Sequence, residues 1–439
     1  MKERTSRQAW RVGLVAALLP MALGSTAQDA MHWRGAVNRT QALPQPLPET
    51  TALDVRRFET IAEALVADGR IPGLAMAIVQ DGRILSARGY GVTDVRNPQP
   101  VDAHTVFRLA SLSKTFAGTV TGMLVNDGVL RWDSHLTDYV PSFRMSMPDA
   151  AQQMTVADIL SHRTGLTRNA FDRDIEANAD YHSLTMKMAG APMSCAPGQC
   201  YAYQNVAFSL IGDIVFATTG QFFSEAVSHR IFKPLGMHDA SYGLEGIQAS
   251  ARWARPHVRS GKGWVSLTPK PTYYRVAPAA GVNASISDMA QWLLAHTGYR
   301  TDVLPAPLLA TLHAPLVDTP SEIRGSSWRR ARLQSASYAL GWRALNYSGH
   351  NVVFHGGAVQ GYRGAMALLP ERNLGVVLLW NSESALPGGL LPTILDDALG
   401  LTDGQWLDED IGLPAETLYA KGHVPAAGAD ASTSQASPP

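Results

Sequence analysis

The sequence predicts an α/β fold of the α+β kind, in which one antiparallel sheet is flanked by helices and carries an inserted all-helical subdomain. Three observations predict it. Two apolar runs within residues 74–89 flank a tight turn, three β-rich runs occur within 352–380, and the segment of about 130–300 has mostly helical periodicity. Because hairpins pair strands antiparallel, we expect both chain ends to build one sheet, with a cleft where the sheet meets the helical part.

The first predicted elements are a helix at Arg56–Ala67 and a hairpin with strands Leu74–Gln80 and Arg83–Gly89. Asp81-Gly82 between the strands is typical of two-residue hairpin turns, because both residue types tolerate positive φ. The next predicted helix follows Ser111–Lys114, and it ends near residues 126–128, where Asn, Asp and Gly follow one another.

The helical segment contains four candidate helices, and the chain then returns to strands before a closing helix. The candidate helices are Thr155–Ser161, Ala207–Thr218, Phe222–Phe232 and Ile286–His296. The candidate strands are Val352–His355, Arg363–Leu369 and Leu374–Trp380, with a turn at 370–373 and a closing helix at Leu390–Leu399. Short β-rich runs separated by turn residues are typical of antiparallel strands.

The composition is that of an ordinary globular protein. Of the 439 residues, 46% are hydrophobic and 17% are charged, which supports a sizeable core. The 37 basic and 37 acidic residues give a formal net charge of +0, so nothing indicates a nucleic-acid partner. We expect one domain at residues 53–405, a flexible lead-in at 28–52 and a disordered tail at 420–439. The lead-in is rich in Gln and Pro, and the tail is rich in Ala, Ser, Gly and Pro.

Residues 1–27 have the pattern of a signal peptide. The apolar stretch Val12–Leu23 is shorter than the roughly 20 residues that span a bilayer, and Ser25-Thr26-Ala27 offers small residues for cleavage after Ala27. The positive region before the apolar stretch consists of Lys2, Arg4, Arg7 and Arg11. We therefore predict a periplasmic or secreted protein without a stable membrane anchor, with an uncleaved anchor as the alternative.

Cys195 and Cys200 are the only cysteines in the sequence. Disulfides persist in the compartments that exported proteins reach, and the short spacing around Pro197 and Gly198 permits a small closed loop. A metal site is the alternative, although two cysteines without a nearby histidine do not complete a zinc sphere. We favour a structural disulfide and predict no bound metal, while the spacing alone leaves both possibilities open.

Ser111-Leu112-Ser113-Lys114 carries the strongest chemical signal in the chain. A Ser and a Lys three residues apart at a helix start share one face, which brings an amine within reach of a hydroxyl. A serine hydroxyl becomes a nucleophile when a neighbouring base takes its proton, and the helix N-terminus favours a developing oxyanion. The alternative is that Ser111 merely caps the helix and Lys114 is solvated.

Two further motifs, Tyr203-Gln204-Asn205 and His355-Gly356-Gly357, follow in order and at suitable distances. Together with Ser111-x-x-Lys114, the nucleophile motif of penicillin-recognising enzymes, they make the chain resemble the class C β-lactamase and D,D-peptidase family of serine hydrolases over most of residues 56–400. The segments Gly128–Asp133, Ile159–Leu166, Ile231–Met237 and His355–Asn381 extend the likeness. The resemblance implies a β-lactamase/transpeptidase-like fold.

The resemblance also implies roles for individual residues. Ser111 would form an acyl-enzyme, and Lys114 or Tyr203 would act as the general base, a choice that the sequence leaves open. Asn205 would hydrogen-bond the substrate amide and hold Lys114. Tyr201 is expected to be a core residue with a satisfied hydroxyl.

The third motif departs from the Lys-Thr-Gly that β-lactamases of this class usually carry. His355 is expected to be a hydrogen-bonding partner of Tyr203, and Gly357 to let a substrate backbone approach the strand. Ala358 is expected to complete an oxyanion hole with the backbone N–H of Ser111. Histidine is mostly neutral at pH 7 whereas lysine is charged, which weakens the capture of a substrate carboxylate.

These features predict an exported serine hydrolase that cleaves an amide or ester bond through a Ser111 acyl-enzyme and needs no cofactor. The expected partner is a small molecule or peptide, such as a D-amino-acid peptide, a peptidoglycan fragment or a small ester. A true class C-type β-lactamase and a non-catalytic binder of cell-wall peptides are the alternatives. The sequence gives no prediction of the oligomeric state.

Overall fold

The computed structural model describes residues 53–261, 263–402 and 404–407. The predicted signal peptide, the predicted lead-in and the predicted tail all lie outside these residues. The strands are β1 Gly73–Gln80, β2 Arg83–Gly91, β3 Phe107–Arg108, β4 Ser241–Tyr242, β5 His257–Ser260, β6 Gly263–Ser266, β7 Val282–Ala284, β8 Val317–Asp318, β9 Leu333–Tyr338, β10 Arg343–Tyr347, β11 His350–Val359, β12 Tyr362–Leu369 and β13 Leu374–Trp380.

The α-helices surround these strands and lie mostly in the middle of the chain. They are α1 Val55–Val66, α2 Ser113–Asn126, α3 Leu136–Tyr139, α4 Ala150–Gln153, α5 Val156–Leu160, α6 Asp172–Glu176, α7 Tyr181–Lys187, α8 Val206–Thr219, α9 Phe223–Val227, α10 Lys233–Leu235, α11 Gly243–Ala249, α12 Ala277–Ala280, α13 Ile286–His296, α14 Ala306–His313, α15 Ser327–Arg332 and α16 Leu390–Leu399. A π-helical turn at Ser228–Phe232 joins α9 to α10, and short 3₁₀ turns join several other elements.

One eight-stranded sheet contains strands from both ends of the chain, as predicted. Its order is β2-β1-β13-β12-β11-β10-β9-β8, and every neighbouring pair is antiparallel. The amino-terminal hairpin is therefore hydrogen-bonded directly to the last strand, β13. The predicted fold class, an antiparallel sheet flanked by helices, is confirmed.

The central strands are apolar along their whole length because both faces of the sheet are covered. Alternate residues of β1 point to opposite sides, so that Met76 and Ile78 belong to one core and Ala77 and Val79 to the other. Helices α1 and α16 pack on the first face, and α13 packs on the second. This double burial explains why the runs at Leu74–Gln80 and 374–380 lack polar alternation.

The hairpin between β1 and β2 turns where the sequence predicts. Asp81 and Gly82 both have positive φ, at 49° and 75°, which gives the turn a twist that matches the paired strands. A Cβ on Gly82 would also lie 2.5 Å from the Tyr299 ring. Both the positive φ and this close approach therefore favour glycine at position 82.

The middle of the chain is mostly helical, and helices α5 and α13 begin with the capping boxes of Thr155–Asp158 and Ser285–Asp288. The segment also contains β4 to β7, so the expectation of an all-helical insert is too simple. Strands β4 and β7 form a three-stranded sheet with β3, and β5 pairs with β6. Pairs of two to four residues have too little periodicity to be recognised in a sequence.

Strands β8, β9 and β10 were not predicted either, although they form one side of the main sheet. Among the described residues, no single helix has both the length and the hydropathy needed to cross a bilayer. Val206–Thr219 and Phe223–Leu235 meet those criteria only as a pair, with a bend of 79° between them.

Candidate active site

Ser111 lies in a sharp turn between a strand and a helix. Strand β3 pairs with β7, the 3₁₀ turn Ala110–Leu112 follows, and α2 begins at Ser113. Ala110 has φ of +49°, a left-handed conformation that is unfavourable for a residue with a Cβ. Ser111 is half-buried while its neighbours on both sides are buried, so the turn presents this side chain at the amino-terminal end of α2.

The amine of Lys114 faces the Ser111 hydroxyl from the first turn of α2. Lys114 Nζ lies 3.3 Å from Ser111 Oγ, 2.8 Å from Asn205 Oδ1 and 3.1 Å from the carbonyl oxygen of Ala279. A neutral amine has two N–H donors and one lone pair. Asn205 Oδ1 and the Ala279 carbonyl can only accept, so in the neutral form of Lys114 they take both donors and the lone pair is left for the Ser111 hydroxyl. In the protonated form, Lys114 instead donates a third hydrogen bond to Ser111 Oγ.

Lys114 is fully buried, with an exposed fraction of 0%. Burial lowers the pKa of Lys114 well below its ordinary value of 10.5, and the positive charge of Arg343 acts in the same direction. The negative charge of Asp172 opposes both effects. Lys114 is therefore suited to lose its proton far more readily than a solvated lysine.

Tyr203 and Asn205 lie in the loop that leads into helix α8. Tyr203 is half-buried, and its ring centroid lies 4.6 Å from Lys114 Nζ. Burial raises the pKa of Tyr203 above its ordinary value of 10.0, whereas a hydrogen bond with Ser111 and the charge of Arg343 act in the opposite direction. The structure thus brings Ser111, Lys114, Tyr203 and Asn205 into one site.

The Cys195–Cys200 disulfide closes a small loop just before this segment. The backbone N–H groups of Ser194 and Cys195 donate to the carbonyl of Gly165, which fastens the loop to the turn after α5. The described residues contain no group of three or more His, Cys, Asp or Glu side chains that could hold a metal ion.

His355 is buried at the edge of the site on strand β11. Its Nδ1 lies 2.8 Å from the Gly356 carbonyl and its Nε2 lies 2.9 Å from the Tyr338 hydroxyl. A carbonyl only accepts, so Nδ1 carries the proton and Nε2 accepts from Tyr338. The predicted hydrogen bond from His355 to Tyr203 is therefore replaced by one to Tyr338, whose ring stands edge-on to Tyr203 with centroids 6.4 Å apart.

The charge on His355 also differs from that of a lysine. Burial lowers the pKa of His355 well below its ordinary value of 6.5, and the nearby positive charge of Arg343 lowers it further. His355 is consequently neutral across the physiological pH range.

Gly357 brings strand β11 into close contact with the nucleophile turn. A Cβ on Gly357 would lie 2.4 Å from the Leu109 carbonyl and 3.3 Å from the backbone N of Ser111. The chain itself therefore requires glycine at this position, and the approach of a substrate backbone to the strand stays a prediction. Ala358, the next residue, is exposed beside this contact, and its role in an oxyanion hole stays a prediction.

Two charged residues of the site were missed by sequence reasoning. Asp172, at the start of α6, accepts a hydrogen bond from Asn205 Nδ2 at 2.9 Å. Arg343, on β10, lies with its guanidinium carbon 5.9 Å from the Tyr203 ring centroid and its Nη1 3.1 Å from Glu322 Oε1. Arg343 is 8% exposed. No local motif marks either residue, and only the fold brings them to Lys114 and Tyr203.

His162, which lies in the segment 159–166 that extends the family likeness, packs against the catalytic candidates. Its ring centroid lies 4.3 Å from that of Tyr203, and its Nδ1 accepts from the backbone N–H of Gln204 at 3.2 Å. Burial lowers the pKa of His162 well below 6.5. A neutral ring in this position supports the tyrosine and the loop that carries it.

A cavity of about 390 Å³ lies beside the site. Its wall includes Arg108, three residues before the nucleophile, and Val359, at the end of β11. Glu176, Lys270 and Glu383 also line it, so both signs of charge are present.

Known proteins are similar to this chain in sequence. The model of the Beta-lactamase family matches residues 58–398. The unguisins hydrolase ungD' of Aspergillus campestris is 26% identical over 335 residues, which are 74% of this chain and 61% of that protein. The chain spans about three fifths of the length of the first curated relatives that it matches.

Two solved structures show the same fold. The octameric penicillin-binding protein homologue from Pyrococcus abyssi has a TM-score of 0.70 and 22% identity, over 80% of this chain and 78% of that one. The D-amino acid amidase from Ochrobactrum anthropi SV3, complexed with L-phenylalanine, has a TM-score of 0.63 and 22% identity, over 79% of this chain and 98% of that one. With a family match that runs from α1 into α16 and includes every element of the site, the chain belongs to the Beta-lactamase family, as its motifs predict.

Proposed function

We propose that this protein is a serine hydrolase that cleaves an amide or ester bond through an acyl-enzyme on Ser111. One observation carries the proposal. Lys114 is a buried amine that lies 3.3 Å from Ser111 Oγ, 2.8 Å from Asn205 Oδ1 and 3.1 Å from the Ala279 carbonyl oxygen. When this amine is neutral, Asn205 and Ala279 accept its two N–H groups and its lone pair is left for Ser111 Oγ. A solvated lysine or a simple helix cap would have neither this burial nor these partners.

In the acylation step, Ser111 Oγ attacks the carbonyl carbon of the substrate while its proton passes to Lys114 Nζ. The negative charge that forms on the carbonyl oxygen is met by backbone N–H groups at the start of α2, with Ala358 N–H as the second donor. The tetrahedral intermediate then collapses, the bond to the leaving group breaks, and the leaving group receives a proton from the site. Water attacks the resulting ester in the reverse sequence of proton transfers.

Tyr203 is the proton donor to the leaving group in this scheme. Tyr203 is a neutral phenol hydrogen-bonded to Ser111. It can therefore donate its proton to the leaving group, and it then takes a proton back from Lys114. Arg343, with its guanidinium carbon 5.9 Å from the ring centroid, stabilises the transient phenolate. The assignment makes Lys114 the base in the resting site and Tyr203 the acid.

The preferred substrate class is a D-amino-acid peptide, a peptidoglycan fragment or a small ester rather than a β-lactam. A neutral His355 supplies no charge to a substrate carboxylate, and Gly356 supplies no hydroxyl. The fold is shared with a D-amino acid amidase, which supports the amide branch of this proposal. We further propose that the protein is exported to the periplasm or beyond, which N-terminal sequencing of the mature protein would test.

The test is intact-mass spectrometry of the protein mixed separately with an activated ester, a D-aminoacyl anilide and benzylpenicillin, alongside assays for product. We expect acylation or turnover of the ester or anilide by the wild type and neither by Ser111→Ala. Rapid opening of benzylpenicillin, with little action on the other two, would establish the β-lactamase alternative instead. Binding of cell-wall peptides without acylation by any probe would establish the non-catalytic alternative.

A further inference from the structure

Asp172 is a carboxylate inside the site that the reaction scheme above does not use. It stands at the first position of α6, directly after Phe171, whose φ of +65° turns the chain toward the site. Asp172 Oδ2 accepts from Asn205 Nδ2 at 2.9 Å. Asn205 is 6% exposed and Asp172 is half-buried, so this hydrogen bond is partly shielded from solvent.

This hydrogen bond decides which way the Asn205 amide faces. An amide group has one acceptor oxygen and one donor nitrogen at opposite ends, and an ionised carboxylate only accepts. With the nitrogen held toward Asp172, the oxygen must point at Lys114, where it accepts at 2.8 Å. A flipped amide would present N–H groups to Lys114 and would compete with Ser111 for the lone pair of the amine.

We propose that Asp172 is a positioning residue of the hydrolase reaction: it fixes the Asn205 amide so that the lone pair of Lys114 is directed at Ser111. The proposal rests on the proposed function, because it concerns the base of that reaction. It gives Asp172 no contact with the reacting atoms, since its effect passes through Asn205 in two hydrogen bonds.

The charge of Asp172 has a second, separable effect. Its negative charge favours the protonated form of Lys114, and therefore a neutral replacement should let Lys114 lose its proton at lower pH. The other titratable or charged groups that face Lys114 are Arg343 from β10, Tyr203 from the loop before α8, His162 after α5 and His355 from β11. Asp172 itself faces Glu176 and Tyr273.

The test compares Asp172→Asn, which keeps an acceptor for Asn205, with Asp172→Ala, which removes it. Asp174→Asn is the matched control, because Asp174 lies on the same short helix and pairs with Lys187 instead. The rate of Ser111 acylation by an activated ester is measured by intact mass from pH 5 to pH 9, and a thermal melt verifies that each variant is folded.

We expect Asp172→Ala to slow acylation about 10-fold or more, the effect typical of losing an outer partner that orients a reactive group. Asp172→Asn should stay within about threefold of the wild type on the pH plateau, with the acidic limb of the rate displaced to lower pH. Asp174→Asn should have the same acylation rate as the wild type, and the acidic limb of its pH–rate profile should lie at the same pH.

The positioning role would be overturned by a folded Asp172→Ala variant that acylates at the wild-type rate and whose pH–rate profile has its acidic limb at the wild-type pH. An Asp172→Asn variant as slow as Asp172→Ala would also overturn it, because the acceptor would then not be what matters. If the wild type and Asp174→Asn both fail to acylate with every probe, the proposed function itself fails, which distinguishes the two results.

Discussion

At the scale of single residues, the chemistry depends on Lys114 being both buried and supplied with acceptors. Burial alone would make a charged lysine costly, and the acceptors alone would hold an ordinary ammonium. Together they favour a neutral amine with a defined lone pair 3.3 Å from Ser111 Oγ. Tyr203 is the complementary case, a phenol that burial keeps protonated beside the same hydroxyl.

Replacement of Tyr203 by Phe should therefore remove the proton donor and leave the ring packing in place. We expect the rate of acylation or deacylation to fall by about 10²–10³-fold, within the range attributed to general acid–base catalysis. Pre-steady-state measurement with an activated ester checks this. Tyr201→Phe, a change of the same kind two residues away, should stay within about threefold of the wild type, and equal losses in both variants would remove Tyr203 from the mechanism.

The buried Lys114 should also make stability depend on pH. Its pKa is lower in the folded protein than in the unfolded chain, so over the interval between the two values the unfolded chain binds more protons. Stability must then rise with pH through that interval. The Lys114→Met variant has no group that titrates at this position. The melting temperature of the wild type minus that of the variant should therefore increase as the pH is raised from 6 to 10. A constant difference between the two would show that Lys114 is not buried as an amine with a depressed pKa.

At the scale of elements, the site is assembled where β11 meets the turn that carries Ser111. The contact is backbone against backbone, because Gly357 has no side chain and Leu109 presents its carbonyl. Such an approach fixes the distance between strand and nucleophile more rigidly than side-chain packing could.

Gly357→Ala should consequently separate the two elements. An added Cβ would stand 2.4 Å from the Leu109 carbonyl, and we expect a loss of about 1–3 kcal/mol in the free energy of unfolding, as for other overpacked sites, together with most of the activity. Gly356→Ala is the matched control, since its Cβ would make only ordinary van der Waals contacts, with the Phe354 ring at 3.5 Å and the Gly364 carbonyl oxygen at 3.8 Å. Urea unfolding and ester hydrolysis measure both quantities, and indistinguishable variants would refute the close-contact explanation.

At the scale of the whole molecule, both ends of the described chain are tied to the face of the sheet that lies away from Ser111. Asp396 on α16 is 1% exposed. Its carboxylate accepts from Arg332 at 2.9 and 3.0 Å, from the Tyr347 hydroxyl at 2.6 Å and from Trp406 Nε1 at 2.7 Å. One carboxylate thus joins the last helix to α15, to β10 and to the residues beyond.

Asp396→Ala should lower the stability of the fold and leave the catalytic rate per folded molecule unchanged. Removing this carboxylate leaves the buried Tyr347 hydroxyl and Trp406 Nε1–H without an acceptor, and each unsatisfied group costs about 1–3 kcal/mol. The Arg332 side chain is 18% exposed, so its charge keeps some contact with water. We expect a loss of about 1–3 kcal/mol per unsatisfied group in chemical denaturation and an unchanged rate per folded molecule at low temperature. A loss below about 1 kcal/mol in the free energy of unfolding would mean that the hydrogen bonds to Asp396 contribute little to stability. A changed rate per folded molecule would mean that substitutions on this face of the sheet alter the site around Ser111.

Much of this protein follows from the sequence alone. The apolar runs at 74–80 and 374–380 are strands because they are buried on both faces, and Asp81-Gly82 is a turn because both residues accept positive φ. The capping residue Thr155 and the spacing of 286–296 define helices locally. Ser111 and Lys114 lie on one helical turn, so the contact between them is determined by spacing.

What the tertiary structure decided is the environment of that pair. Asp172 and Arg343 lie 58 and 229 residues from Lys114 in sequence, on a short helix and a strand whose patterns are too brief or too uniformly buried to be recognised. The partner of His355 is Tyr338 because β9 and β10 complete the sheet beside β11. Spacing within one element fixes which side chains share a turn, but pKa values, amide orientation and close backbone contacts depend on burial among distant segments, which exists only once the chain has folded.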